Sequence, residues 1–336
     1  MQKFIPVLNE NNEPLMPTTP ARARKLLKTK QAVKRWFKGV FAIKLIRSAE
    51  ANKQEIVVGI DTGSKREAFT VKSNAHTFLN IQTEATDYVS EKMVVRKASR
   101  HGRRCRNTPY RKCRLYRSRN KSSIPASTKA RWQAKLRILN YLDKIYPIKT
   151  VIVEDIKAWT KKGAKRWNQS FSPLEVGKNW FYNKIKEVWK LELMAGYETA
   201  AERAKLGLNK ISNKLSKDFH AHCVDSWTLA NTYIGGHTII DNKEMLYMAP
   251  IKFQRRQLHM LQPAKGGVRG RYGGTMSLGL KRGSIVQHIK HGLVYVGGHT
   301  KGKVSLHCLK TRKRLCQNAE IADISFLAYN SWCFNS

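Results

Sequence analysis

Two apolar runs in this chain each end in carboxylates: Glu55-Ile-Val-Val-Gly-Ile-Asp61 and Thr150-Val-Ile-Val-Glu154-Asp155. Short β-branched runs bounded by turn residues read as buried strands. Thr62-Gly63-Ser64-Lys65 turns the first run into a strand over Ala68 to Lys72, and a third near Thr77 to Gln82 completes a meander. A helix from about Lys129 to Ile145 precedes the second run, and residues 160–215 read as mostly helical. The aromatics Trp167, Phe171, Trp180, Phe181, Tyr182 and Trp189 in that stretch read as core rather than as base-stacking groups.

Strand-end acids demand an explanation because acids are scarce. Lys and Arg total 64 against 23 Asp and Glu, a net charge of +41. Such an excess repels itself unless a polyanion binds, so nucleic acid is the expected partner. A hydrophobic share of 41% is enough for packed cores and excludes a disordered polycation. No stretch of about 18 apolar residues suggests a membrane span, and Met1 to Pro6 has no apolar core of signal-peptide length. The expected location is the cytosol, where Cys105, Cys113, Cys223, Cys308, Cys316 and Cys333 stay reduced. No Cys-x-x-Cys pair marks zinc; Cys105/Cys113 and Cys308/Cys316 share an eight-residue step that zinc sites do not favour.

The cations cluster. No acid occurs between Lys92 and Leu142, where Arg96, Lys97, Arg100, Arg103, Arg104, Arg106, Arg111, Lys112 and Arg114 crowd together. Arg96, Arg100 and Arg103 share a helical stripe suited to phosphate backbones, and Pro109 is expected to end that helix. Salt-bridged surface helices intersperse both signs, and this segment does not. From Met245 to Ala319 acids are again absent, and paired glycines at 266–267, 273–274 and 297–298 between short apolar runs suggest a small β-barrel. Near the N-terminus, Phe4 to Leu8 reads as a strand, and Pro20 after Thr19 starts a basic helix.

Asp218 to Trp227 reads as a helix that sets His222 and Asp225 one turn apart. Carboxyls at neighbouring strand ends, joined by a helix-borne acid, repel one another unless a divalent cation sits among them. Asp61, Glu154 and Asp225 are the candidate metal ligands, with His222 a further ligand or the base for an attacking water. Two magnesium ions, with manganese able to substitute, would suit phosphodiester hydrolysis. Structural alternatives exist for each: Asp61 as a turn residue, Glu154 and Asp155 as helix caps, and His222 with Asp225 as a satisfied surface pair. His220 points to another side of the helix, and Asp155 faces away from Glu154.

Several of these segments together resemble one family. Glu13-Pro-Leu-Met-Pro-Thr-Thr-Pro-Ala-Arg-Ala-Arg-Lys-Leu-Leu27, Gly59-Ile-Asp-Thr-Gly63, the arginine-rich arm, Val153-Glu154 and His222-Cys-Val-Asp225 are similar to the IscB/IsrB proteins, as are Arg255 to Pro263, Tyr272-Gly-Gly274 and Tyr329 to Trp332. These transposon-encoded proteins look like ancestors of type II CRISPR effectors. The resemblance implies an α/β, RNase H-like (RuvC) mixed sheet with flanking helices, an arginine-rich bridge helix, a small N-terminal domain and a C-terminal β-barrel-like domain. By position these fall at 1–54 (the Pro-Leu-Met-Pro domain), 55–91, 127–159 and 216–241 (RuvC segments), 92–126 (bridge helix), 160–215 (helical connector) and 242–336 (reader of a motif beside the DNA target).

One departure assigns the branch. Between Glu154 and His220 there is no histidine and no cysteine, so the HNH nuclease inserted there in IscB has no base or ligands to be built from. The resemblance is therefore to the HNH-lacking IsrB branch. It implies guidance by an omega RNA, nicking of the non-target strand of double-stranded DNA, and a monomeric protein in a ribonucleoprotein that joins the prokaryotic nucleoid when bound to DNA. Gln257, Arg269 and Arg271 are candidate base readers. The rival readings are an unguided structure-specific nuclease and an RNA-binding protein whose acids are incidental.

Overall fold

The computed structural model describes residues 3–37, 40–47, 54–104, 124–157, 172–236, 239–250, 261–262, 267–268, 276–329 and 332–335. It is a mixed α/β structure with several sheets and, among the described residues, six helices. The chain divides into two compact units, Met1–Lys34 with Ala42–Met245, and Arg35–Phe41 with Leu246–Ser336. No described helix is long and apolar enough to cross a membrane.

The N-terminal elements are β1 (Ile5–Leu8), β2 (Pro14–Thr18), α1 (Pro20–Lys28), β3 (Ala32–Phe37) and β4 (Val40–Leu45), with strand order β2-β1-β4-β3. The Asn9 side chain accepts from the backbone N–H of Asn11 and Glu13 and closes the first turn. Thr19 caps α1 by accepting from the Arg22 N–H at 3.3 Å, with Pro20 in the first turn as the sequence predicts.

The central sheet positions the site. Its strands in the first unit are β5 (Ile56–Asp61), β6 (Arg66–Lys72), β7 (Thr77–Glu84), β8 (Ile148–Asp155) and β9 (Lys190–Ala195), in the order β7-β6-β5-β8-β9. β5, β6 and β7 form the expected antiparallel meander. β8 then pairs parallel with β5, and β9 parallel with β8. The helices are α2 (Tyr88–Arg104), α3 (Ala126–Asp143), α4 (Pro173–Lys186), α5 (Gly196–Lys205) and α6 (Phe219–Ile234). The connector expected to be helical is thus corrected: it also supplies the sheet's fifth strand. Lys190-Leu-Glu-Leu-Met-Ala195 is short and only half-buried, too weak an alternation to stand out beside two helices.

α6 lies against one face of the sheet, and a glycine sets how closely. A Cβ on Gly59 would sit 2.0 Å from the Ser226 carbonyl oxygen and 3.0 Å from the Ala230 nitrogen. Only a residue without a side chain lets the helix backbone rest on β5. Val57 and Ile152 pack against Leu229 and Ala230 below, and Ala68 packs with Cys223, Val224 and Trp227 alongside. The Thr70 and Ser226 hydroxyls meet at 2.8 Å across the same contact.

The opposite face receives α3 and α4, whose Trp132 and Phe181 rings meet at 5.0 Å. Glu67, one residue out of phase with Ala68, points to that side and pairs with Lys135 at 2.6 Å, both buried. Burial raises the Glu67 pKa despite the Lys135 charge that opposes it.

In the second unit, β10 (Met245–Pro250) is followed by two short ribbons, β11 (Leu261–Gln262) with β12 (Gly267–Val268) and β13 (Met276–Ser277) with β14 (Leu280–Lys281). Then come β15 (Ser284–His288), β16 (Gly292–Thr300), β17 (Lys303–Cys308), β18 (Arg314–Ala319), β19 (Ile324–Tyr329) and β20 (Trp332–Asn335). β20 pairs antiparallel with β10. The other five form an antiparallel sheet ordered β18-β17-β16-β15-β19 over a core of Val286, Val294, Val296, Val304, Leu306 and Ala319. The barrel expected here is, among the described residues, an open sheet with β18 and β19 at its two edges. The glycine pair at 297–298 produces a bulge in the β16–β17 pairing instead of closing the sheet.

Gly59→Ala should cost about 3 kcal/mol of stability in denaturant unfolding, because the new methyl meets backbone that cannot swing aside. A loss below about 0.5 kcal/mol would show that α6 does not depend on this close approach.

Candidate active site

Alternation along β5 places Val57, Gly59 and Asp61 on the face covered by α6, and on β8 it places Ile152 and Glu154 there. Both strand ends therefore deliver a carboxyl to the N-terminal half of α6. Asp218 caps that helix, its carboxylate accepting from the His220 N–H at 2.7 Å, and the helix turns His222 and Asp225 to the sheet.

His222 Nδ1 lies 2.9 Å from Asp61 Oδ2, and its Nε2 lies 3.0 Å from the Lys214 carbonyl oxygen. Both ring nitrogens face acceptors, an arrangement that suits the doubly protonated ring. Burial opposes that charge, but the Asp61 carboxylate and the Lys214 carbonyl outweigh it and raise the His222 pKa. In this arrangement both ring nitrogens are engaged, Nδ1 with Asp61 and Nε2 with the Lys214 carbonyl.

Glu154 is pushed up to about 8, first by burial, then by the Asp61 charge and a hydrogen bond with the Asp61 carboxyl, and further by Asp225; Lys210 works the other way. Neighbouring carboxyls that cannot all ionise share protons in this manner. A Cβ on Gly196, the first residue of α5, would come within 3.2 Å of Glu154 Oε1. The Thr62 hydroxyl donates to the Glu154 carbonyl at 3.1 Å and ties the two strand ends together.

Asp225 completes the acidic group but is engaged elsewhere. Its Oδ1 accepts from Arg203 of α5 and its Oδ2 from Lys210. Neither cation was anticipated from sequence, because partners 22 and 15 residues away leave no periodic signal. The other two candidates stand apart, as expected: His220 faces the Asn209 carbonyl, and Asp155 pairs with Lys178 at 2.9 Å and accepts from the Tyr182 hydroxyl at 3.0 Å.

The donor set fits a hard divalent cation: three carboxyls of two strand ends and one helix, with Glu154 strained by its acidic neighbours. Yet among the described residues no three His, Cys, Asp or Glu side chains are arranged to hold one. The expected four-ligand set of Asp61, Glu154, Asp225 and His222 is therefore not assembled in this arrangement. Asp225 is turned to Arg203 and Lys210, and His222 is spent on Asp61 and Lys214.

Of the expected nucleic-acid contacts, Arg96 and Arg100 are exposed on α2. Arg103 and Arg104 form its last turn, with side chains outside the described residues, as are Arg106, Arg111, Lys112, Arg114, Gln257, Arg269, Arg271, Pro109, Cys105 and Cys113 altogether.

Residues 5–169 match the family model described as RRXRR protein. No curated protein sequence matches the chain significantly. Among solved structures, the yeast mitochondrial Holliday junction resolvase Ydc2 is similar with a TM-score of 0.28 and 10% identity, over 55% of this chain and 80% of that one. That likeness is too low to carry any property across.

The raised Glu154 pKa gives a pH signature. Held protonated in the fold, Glu154 leaves stability intact below its ordinary value of 4.5 and withdraws it as pH climbs to about 8. In chelator, Glu154→Gln should therefore melt above the parent protein at pH 8, by a few degrees for about 1 kcal/mol, and the gap should close at pH 5. Equal melting at both pH values would mean that Glu154 is not crowded by acids.

Proposed function

We propose that this protein is an RNase H-like, RuvC-type DNA endonuclease that is guided by RNA and nicks one strand. The observation that carries the reading is the convergence of Asp61 and Glu154, from adjacent parallel strands, on the helix that bears Asp225. Five neighbouring strands, of which the first three form an antiparallel meander and the next two run parallel to the first, support the RNase H-like assignment. The match of the first half to the RRXRR model, a family associated with IscB/IsrB-like proteins, supports RNA guidance. So does the acid-free arm from Lys92 to Leu142, which suits a phosphate backbone.

Asp61, Glu154 and Asp225 would hold the divalent ions, magnesium in the first instance. When bound, such ions activate a water and stabilise the leaving oxygen of a phosphodiester. Among this chain's own groups, His222 holds Asp61 in orientation through its Nδ1 proton and is itself fixed by the Lys214 carbonyl. Glu154 holds a proton that ligation would displace. A single acidic centre, with no histidine or cysteine between Glu154 and His220 to furnish a second, accounts for cutting one strand.

Co-expression with its flanking noncoding DNA should yield a discrete bound RNA. A supercoiled plasmid matched to that RNA should then become nicked in magnesium, and chelator or Asp61→Ala should slow nicking by at least about a hundredfold. Linear product would contradict the one-strand reading. Nicking that is indifferent to Asp61 would contradict the enzymatic one.

A further inference from the structure

Two cations on one carboxylate exceed what that carboxylate needs. Asp225 has 2% of its side chain exposed, and each of its oxygens is taken, one by Arg203 and one by Lys210. Arg203 and Lys210 keep 20% and 35% of their side chains exposed, so each presents a face to incoming solute. The local group carries one positive charge beyond Asp225, which a singly charged phosphodiester would match.

Their placement sets them beside the other acids. Arg203 lies in the last turn of α5, the helix whose first residue abuts Glu154, and the Lys210 charge is felt at both Glu154 and His222. A guanidinium fork and an ammonium are the groups that receive phosphate oxygens.

Resting on the nuclease reading, we propose that Arg203 and Lys210 receive a phosphate oxygen of the strand to be cut and, until it arrives, hold Asp225 away from metal. On strand entry the two cations exchange one anion for another. The Asp225 oxygens are then left buried without a partner, a costly state that a divalent cation relieves. Strand and metal therefore bind with positive coupling, and the coupling acts equally in both directions. A nuclease built this way loads its metal preferentially against a phosphodiester, which limits stray hydrolysis.

The test follows manganese binding to the full chain by electron paramagnetic resonance of the free ion, with a thymidine trinucleotide as the strand probe. The trinucleotide should tighten manganese binding about tenfold in the parent protein, and its uncharged methylphosphonate form should not. Arg203→Gln and Lys210→Met should each bind manganese about tenfold more tightly without the trinucleotide and gain little from adding it. Lys210→Met, at a residue outside the helices with a third of its side chain exposed, keeps the test in force if Arg203→Gln fails to fold. A parent affinity that ignores the trinucleotide, or a Lys210→Met protein that retains the parent affinity and the parent gain, overturns the proposal. Manganese binding that survives Asp61→Asn unchanged overturns the nuclease reading as well, so the two failures are distinct.

Discussion

The backbone of α6 rests directly on β5 at Gly59, and the geometry of the acidic group follows from that contact. With 2.0 Å between a would-be Cβ and the Ser226 oxygen, any side chain would lift the helix and carry His222 and Asp225 away from the strand ends. The period of two along the strands then matches the stripe along the helix: Asp61 lies above Gly59 and Val57, and His222 and Asp225 lie above Ser226, Leu229 and Ala230. Apolar packing below thus places charge above.

Electrostatics at that upper edge is balanced by the chain itself. Three carboxyls face the imidazole of His222, the guanidinium of Arg203 and the ammonium of Lys210. One acid, Glu154, is pushed toward the neutral form. In a protein with a net charge of +41, acids kept so close together are a concentrated exception to the surrounding field. The same excess of Lys and Arg that draws a polyanion to the surface supplies the two cations that occupy Asp225.

Much of this was legible in the sequence because its signals are local. The apolar runs ending at Asp61 and Glu154, the meander through Lys72 and Gln82, and the three-residue step from His222 to Asp225 each stand within a few residues. The relations that remained hidden are nonlocal. Arg203 and Lys210 reach Asp225 from another helix and its following segment; Lys135 reaches Glu67 across 68 residues; Gly59 matters through a helix that begins at residue 219. β9 was missed because an edge strand buries too little to force a strict alternation. Paired glycines suggest a barrel from sequence, whereas the pair at 297–298 bulges an open sheet.

The most direct measurement is anomalous scattering from manganese in crystals of the protein bound to a single strand. An anomalous peak is expected within coordination distance, about 2.2 Å, of oxygens from Asp61, Glu154 and Asp225, with Arg203 and Lys210 withdrawn from Asp225. Manganese found only elsewhere, with the two cations still on Asp225 and phosphate in place, would contradict that expectation.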